Sequence, residues 1–322
     1  MRGSSLQAYH LQVHATATEP IEVGEHRGSS LRGAFFEALW GSYCMNKEAP
    51  TCADCPLVQR CPVSSLVAPL RDEAPRGRDV PRPYAFRPPI EHPPILKPDD
   101  SFSFGLTLFG SHLDLFPYVA IALQTMGYLG IGRRIQENNW RRGRFVIDEV
   151  QVVNLLSGEA KPVQSKGSSR LAFPDLPTTW ADAEALAARL PSDQVTLHLH
   201  TPLRLIEQHR LVRRSLLRPL VGRLLERHDF LALEYGGIAF ECETRDELIE
   251  MAGTVDTIRD ETRWVEVRSY SRRQQKGTPM GGLIGTVTYS GNLRLLLPLL
   301  CWGMVLQVGK DTTKGNGVYV MN

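Results

Sequence analysis

Two glycine-rich segments late in this 322-residue chain have the composition of phosphate-binding loops. The first spans 281–291 and reads GGLIGTVTYSG, and the second spans 308–319 and reads VGKDTTKGNGVY. Glycine lacks a Cβ, permits positive φ and lets backbone N–H groups approach a phosphate closely. A lone Gly-x-Gly more often marks a tight turn, but two such segments in order favour the binding of an anionic polymer. The candidate contacts are Gly309, Lys310, Lys314, Gly315 and Gly317.

Arginine clusters supply positive charge for such a polymer. The formal net charge of +2 is too small to indicate nucleic-acid binding by itself, so the clustering carries the argument. A charge run is more often a solvated face, but arginine suits bidentate recognition of phosphate and stacking on unpaired bases. The candidate binding residues are Arg32, Arg133, Arg134, Arg141, Arg142, Arg204, Arg272 and Arg273.

The order of these motifs resembles that of a known family. A strand with Gly-Gly-x-x-Gly, a helix, and then Gly-Lys-x-Thr-x-x-Gly-x-Gly is similar to the C-terminal half of the CRISPR-associated endoribonucleases of the RAMP superfamily. The resemblance extends through LRGAFF at 31–36, LTLFG at 106–110, GYLGIGR at 127–133 and TPLR at 201–204. It implies an endoribonuclease of the Cas6 type that cleaves CRISPR repeat RNA to mature crRNA, with other Cas subunits of an interference complex as further partners.

The implied reaction needs an acid and a base but no metal. A base removes the proton of the RNA 2′-hydroxyl, the oxygen attacks the adjacent phosphorus, and an acid protonates the leaving 5′-oxygen. The products are a 2′,3′-cyclic phosphate and a 5′-hydroxyl. Histidine suits both roles because its unperturbed pKa lies near the working pH, and a cation must stabilise the charged phosphorane.

His26 is the first candidate for this chemistry. It lies in the polar turn GEHRG at 24–28, before a predicted helix whose N-terminus attracts phosphate, with Arg27 as the neighbouring cation. In several relatives the catalytic histidine also lies near the start of this helix, although a solvated turn residue is an equally weighted interpretation of His26. Tyr43 is a third candidate because some relatives use a tyrosine, and His14 and His112 are further alternatives.

Four cysteines form a candidate metal site. Cys44, Cys52, Cys55 and Cys61 have the spacing C-x7-C-x2-C-x5-C, which favours a structural zinc site over a disulfide in an intracellular protein. An iron–sulfur cluster and unliganded thiols are the alternatives. Members of the resembling family often carry a similar Cys-x-x-Cys-Pro insertion after the first helix. Four protein ligands would leave no open position, so we expect no catalytic role for this knuckle.

The strands and helices that must position the candidate site residues predict an α+β fold. Alternating polarity predicts a strand at 8–15, followed by a helix to Tyr43, a strand at 102–109, a helix at 117–126 and a strand at 144–153. A second series of strands and helices runs from 195 to 321, with a helix expected at 245–258. We predict two tandem ferredoxin-like domains facing a shared basic cleft. The predicted bounds are 1–160, a linker at 161–192, and 193–322, with the metal knuckle inserted in the first domain.

Composition limits the remaining classes of protein. The chain is 42% hydrophobic and has neither an apolar signal segment nor a run long enough to span a bilayer, so we expect a cytoplasmic protein without membrane contact. Two alternatives to the nuclease stay open. One is a non-catalytic RAMP-type subunit that only binds crRNA, and the other is a zinc-stapled adaptor that docks a protein partner.

Overall fold

The computed structural model describes residues 5–24, 27–70, 80–90, 93–168, 170–271 and 276–322. The strands, in chain order, are β1 (Ala8–Ala17), β2 (Ile21–Glu22), β3 (Tyr84–Arg87), β4 (Ile95–Leu96), β5 (Ser101–Phe109), β6 (Ile131–Ile135), β7 (Arg141–Gly143), β8 (Phe145–Val153), β9 (Ala160–Gln164), β10 (Gln194–Leu203), β11 (Leu205–Glu207), β12 (Arg210–Val212), β13 (Asp256–Val265), β14 (Arg268–Ser271), β15 (Lys276–Pro279), β16 (Gly282–Ser290) and β17 (Tyr319–Met321). The α-helices are α1 (Arg27–Tyr43), α2 (Pro62–Val67), α3 (Phe116–Leu129), α4 (Trp180–Ala187), α5 (Leu217–Tyr235), α6 (Cys242–Gly253) and α7 (Leu297–Leu306).

The first unit is built on a five-stranded antiparallel sheet in the order β3-β5-β1-β8-β9. The alternation in β1 buries Tyr9, Leu11 and Val13 in a core that α1 and α3 complete. In chain order, β1, α1, β3, β5, α3 and β8 form the β-α-β-β-α-β series of a ferredoxin-like unit. The strand β9 extends this sheet at the edge next to β8. The strand β1 is central because it pairs with both β5 and β8.

The second unit repeats this arrangement. Its sheet has the order β13-β16-β10-β17, and α5 and α7 are the crossover helices that pack on it. The first strand, β10, again lies between the third and fourth strands of the unit. The predicted α+β fold with two ferredoxin-like units is therefore confirmed, while the exact domain bounds stay a prediction.

Polar and apolar contacts join the two units. The Arg87 guanidinium donates to the Met304 carbonyl at 2.9 Å, and the Gln307 amide donates to the Phe86 carbonyl at 2.8 Å. The Arg227 guanidinium lies 5.7 Å from the centroid of the Phe109 ring. Burial lowers the pKa of both Arg87 and Arg227 to about 10. Buried arginines that contact a carbonyl or an aromatic ring of the other unit indicate a tightly packed interface rather than a loose linker between units.

Two sequence expectations differ from the structure. The segment 69–98 is rich in proline and charge, which predicts an extended, irregular segment, but it contributes β3, whose Phe86 pairs with Leu106 at the edge of the first sheet. The helix expected at 245–258 ends at Gly253, and β13 begins at Asp256. The strand β13 is largely exposed and charged, so it lacks the apolar alternation by which a strand is recognised in a sequence.

Candidate active-site cleft

The start of α1 is fixed by contact with the second unit. Leu31, Ala34 and Phe35 bury one face of the helix in the first core. Gly28, also buried, meets the second glycine segment so closely that a Cβ there would overlap the carbonyl oxygen of Lys314. This contact brings a helix N-terminus of one unit against the glycine-rich loop of the other.

A cleft of about 160 Å³ opens at this junction. Arg27 from α1, His200 from β10 and Lys314 from the glycine-rich loop all line it. The remaining wall is formed by the residues Gly28, Ser29, Pro88, Pro89, Ile90, Thr201, Pro202, Val267, Met280, Gly315 and Asn316. The cleft therefore combines two cationic side chains and an imidazole drawn from both units.

The two cations are held in place by the protein. Arg27 Nη1 donates to the Pro89 carbonyl at 2.7 Å and to the Ile90 carbonyl at 3.1 Å. Burial lowers the pKa of Arg27, which still leaves the guanidinium charged at neutral pH. Lys314 Nζ lies 2.9 Å from an Asp311 carboxylate oxygen. Positioned cations of this kind can stabilise charge that develops on a phosphate.

The glycines of the loop serve close packing as much as ligand approach. Gly309, Gly315 and Gly317 all have positive φ, and a Cβ on Gly309 would lie 2.6 Å from the Arg204 carbonyl oxygen. The N–H groups of Lys310 and Gly317 donate to the Arg204 and Pro202 carbonyls at 3.0 and 3.1 Å. Since these N–H groups are used within the protein, we expect the lysine side chains to provide the loop's phosphate contacts.

The predicted RNA-binding arginines differ in their surroundings. Arg133, Arg142 and Arg141 face carboxylates, at 2.9 Å from Glu22, 2.7 Å from Glu37 and 3.8 Å from Glu19, respectively. Arg134 is exposed on β6, and Arg32 lies 5.9 Å from the Phe36 ring centroid. Arg204 donates to the Gly281 carbonyl at 3.0 Å and lies 5.9 Å from the Trp264 ring centroid. Arg272 and Arg273 lie outside the described residues.

Of the two other catalytic candidates, the structure describes Tyr43 but not His26. His26 lies outside the described residues, immediately before Arg27 in the sequence. Tyr43 ends α1, about 24 Å from its start at ~1.5 Å per residue, and it does not line the cleft. Its ring packs 4.9 Å from that of Tyr118, and burial, followed by the Tyr118 hydroxyl, raises the pKa of Tyr43. The structure therefore does not bring Tyr43 together with Arg27.

The structure brings into the cleft a histidine that the sequence did not identify as a catalytic candidate, whereas His14 and His112 lie elsewhere. His14 bonds Ser103 Oγ at 2.8 Å on the first sheet, and the His112 ring packs 4.6 Å from that of Tyr235. Among the histidines that the structure describes, it is His200 that lines the cleft. The only sequence signal for it is its position directly before the TPLR motif at 201–204.

The four cysteines flank short elements after α1. Cys52 begins a 3-10 turn, Cys61 caps α2, and the thiols of Cys44, Cys52, Cys55 and Cys61 are all partly buried and free of disulfides. Asn46 Nδ2 lies 3.7 Å from the Cys55 sulfur. Within the described part of the chain, no three cysteine, histidine or acidic side chains are close enough to share a metal ion. The donor types suit zinc but this arrangement does not gather them, so the metal knuckle stays a prediction.

The fold and the cleft define the chain as a double ferredoxin-like protein of the RAMP class. A family model described as CRISPR-associated endoribonuclease Cas6 matches residues 197–319, and the model AF_1859_N, described as an N-terminal domain, matches residues 6–176. Residues 197–319 thus belong to the CRISPR-associated Cas6 endoribonuclease family, and through residues 6–176 the chain belongs to the AF_1859_N family. No curated protein matches the sequence significantly.

Solved structures share this fold at low sequence identity. A Cas6 product complex is 15% identical with a TM-score of 0.57, over 98% of this chain and 99% of that one. Cas6 from Thermus thermophilus is 15% identical with a TM-score of 0.52, over 99% of both chains. A chain of a partial Cas6-RT-Cas1–Cas2 complex is 14% identical with a TM-score of 0.60, over 98% of this chain and 46% of that one.

The helices of the described ranges are too short or too polar to cross a membrane.

Proposed function

We propose that this chain cleaves CRISPR repeat RNA at a fixed phosphodiester by metal-independent attack of the 2′-hydroxyl, giving a 2′,3′-cyclic phosphate and a 5′-hydroxyl. The observation that carries the proposal is the convergence of Arg27, His200 and Lys314 on one cleft between the two units. Two cations and a titratable imidazole are the side chains that this reaction requires. The fold shared with a Cas6 product complex supports repeat RNA as the substrate.

The proposed roles follow from position. His26 directly precedes Arg27 in the sequence, and Arg27 and His200 line the cleft from the two units. We assign His26 and His200 as the proton-transfer pair. Arg27, fixed by two carbonyl acceptors, and Lys314 stabilise the phosphorane. Precursor RNA and other Cas subunits are the proposed partners, the latter because a Cas6 complex with Cas1 and Cas2 shares the fold.

A set of histidine variants tests the proposal. His26→Asn and His200→Asn keep a polar side chain but remove the titratable group, so each should lower the single-turnover cleavage rate by roughly 10²-fold or more. RNA affinity should stay within a few-fold because asparagine keeps a polar side chain and Arg27 and Lys314 still supply the positive charge of the cleft. His209→Asn is the control, since His209 is exposed in the turn between β11 and β12 at positive φ, where asparagine is tolerated.

The products and the metal requirement complete this test. Wild-type protein in EDTA should make one cut whose 5′ product ends in a cyclic phosphate. Binding without cutting would instead support the alternative of a non-catalytic RAMP subunit that holds crRNA. Wild-type rates in both His26→Asn and His200→Asn would contradict the proposed proton-transfer pair.

A further inference from the structure

An exposed tryptophan projects from a hairpin next to the cleft. The strands β6 and β7 pair from Ile131↔Gly143 to Ile135↔Arg141, and Trp140 lies in the connection between them. Its side chain is 66% exposed. Asn139 and Trp140 both adopt the left-handed conformation, with φ of 53° and 58°. Asparagine tolerates this region, but a bulky residue such as tryptophan rarely adopts it.

Exposed cationic side chains lie on the same hairpin as this tryptophan. Arg133 and Arg134 are exposed on β6, and Arg141 is exposed on β7 next to Trp140. Although Arg133 and Arg141 face Glu22 and Glu19, their side chains remain 67% and 58% exposed. An aromatic ring flanked by solvent-facing guanidinium groups matches the chemistry of a base-stacking and phosphate-binding surface. A protein-binding hot spot would instead place its tryptophan within an apolar surround that excludes water.

The hairpin is anchored to the same helix start that forms the cleft. The Gly132 N–H donates to Ser30 Oγ in the first turn of α1 at 2.6 Å. The Arg133 guanidinium lies beside Gly24, with Nε 3.6 Å from the position that a Cβ would occupy. Gly28 and Ser29, two positions and one position before Ser30 in α1, face the glycine-rich loop and Met280, respectively. The first turn of α1 thus connects the hairpin directly to the cleft.

We propose that Trp140 stacks on an unpaired RNA base a few nucleotides from the cleaved phosphodiester, while Arg133, Arg134 and Arg141 contact the adjoining phosphates. This inference rests on the proposed function, since it assigns a nucleotide-binding site to the RNA that enters the cleft. The hairpin positions the strand and sets which unpaired nucleotides flank the cut. The ligand is a single-stranded stretch of RNA, because a duplex does not present the faces of its bases.

Affinity measurements with substitutions of Trp140 test the stacking. Trp140→Ala should weaken binding of repeat RNA roughly 5- to 100-fold, the effect of one lost base stack. Trp140→Phe should recover most of this affinity because it keeps an aromatic face. Ile238→Ala is the matched control, since Ile238 is also 66% exposed but lies in the second unit. Thermal unfolding of Trp140→Ala should match wild type, which separates lost contact from lost fold.

Salt dependence and substrate pairing sharpen the test. Trp140→Ala should leave the salt slope of binding unchanged, whereas Arg134→Ala should lower it by about 0.7 for single-stranded RNA. Pairing the flanking nucleotides with a complementary strand should abolish the difference between Trp140→Ala and wild type. Equal affinity of wild type and Trp140→Ala for unpaired RNA overturns the inference. It is also overturned if Trp140→Ala keeps its RNA affinity but loses binding to a protein partner.

These outcomes are distinct from failure of the proposed function. If the wild-type protein binds repeat RNA but does not cut it, the nuclease proposal fails, and a loss of affinity in Trp140→Ala still supports the stacking site. If the wild-type protein cuts normally and Trp140→Ala binds and cuts equally well, the stacking site fails and the nuclease proposal remains.

Discussion

The contact between Gly28 and Lys314 predicts a specific effect of adding a single methyl group. In Gly28→Ala the new Cβ would overlap the Lys314 carbonyl oxygen, so α1 and the glycine-rich loop must move apart. Gly33→Ala makes the same chemical change in the same helix, but a Cβ at Gly33 meets nothing within 4 Å. Comparing the two variants isolates the steric contact from the general effect of replacing glycine in a helix.

The expected magnitudes follow from this comparison. Alanine in place of helical glycine is favourable by roughly 0.5–1 kcal/mol, so Gly33→Ala should be slightly more stable than wild type. Overpacking costs about 1–3 kcal/mol, and Gly28→Ala should be less stable than Gly33→Ala by this amount. A displacement on the order of 1 Å at a catalytic group can lower a rate by roughly 10²-fold. We expect Gly28→Ala to lose activity on this scale.

Urea unfolding and single-turnover cleavage of repeat RNA measure the two effects. If Gly28→Ala matches Gly33→Ala in both stability and rate, the close contact between α1 and the loop is refuted. A loss of stability with an unchanged cleavage rate would support the close contact but show that the glycine-rich loop does not take part in catalysis.

Three further predictions concern charge, pH and metal. Lys310→Ala and Lys314→Ala should each lower the salt slope of single-stranded RNA binding by about 0.7, and unchanged slopes would place these lysines away from the RNA. Burial, followed by the Arg87 charge, lowers the pKa of His10 to about 3, so the folded ring stays neutral while the unfolded ring takes up a proton as pH falls below about 6.5. Stability should therefore fall by about 2 kcal/mol between pH 7 and pH 5 through this group, and His10→Gln should show a correspondingly smaller fall in urea unfolding across this range. If the cysteine knuckle binds zinc, elemental analysis should find about one equivalent, which Cys52→Ser should reduce together with thermal stability; protein containing neither zinc nor iron would contradict it.

The periodic elements could be predicted from the sequence, while one edge strand could not. The alternation in β1 and the apolar face of α1 reflect burial on one side, which leaves a direct pattern in the sequence. The short strand β3 lies within a proline-rich stretch and depends on pairing with β5, a partner that local sequence does not indicate. Its Tyr84 and Phe86 are buried in the core of the first unit, and Ala85 is buried in the core of the second.

The candidate site was predictable only in part for a similar reason. The glycine-rich loop and Arg27 could be identified because their residue types are unusual locally. His200 could not, since its role depends on the approach of α1 from more than 150 positions away in the chain. The pairing of Arg142 with Glu37 is equally non-local. Arginine clusters in a sequence therefore do not reveal which guanidinium groups already face a carboxylate.

The buried hydrogen bonds between the units imply that the RNA, rather than the protein, changes conformation on binding. Arg87 and Gln307 cross the junction in opposite directions, each ending on a carbonyl of the other unit. Opening the units like a hinge would break these hydrogen bonds and leave desolvated polar groups without partners. The cleft should thus keep nearly the same width in free and bound protein. Selectivity among RNAs would then depend on how easily each RNA unstacks and bends to enter a cleft of fixed width. RNAs whose flanking nucleotides are stiff or stably paired would be poor substrates even when every contacted nucleotide is correct.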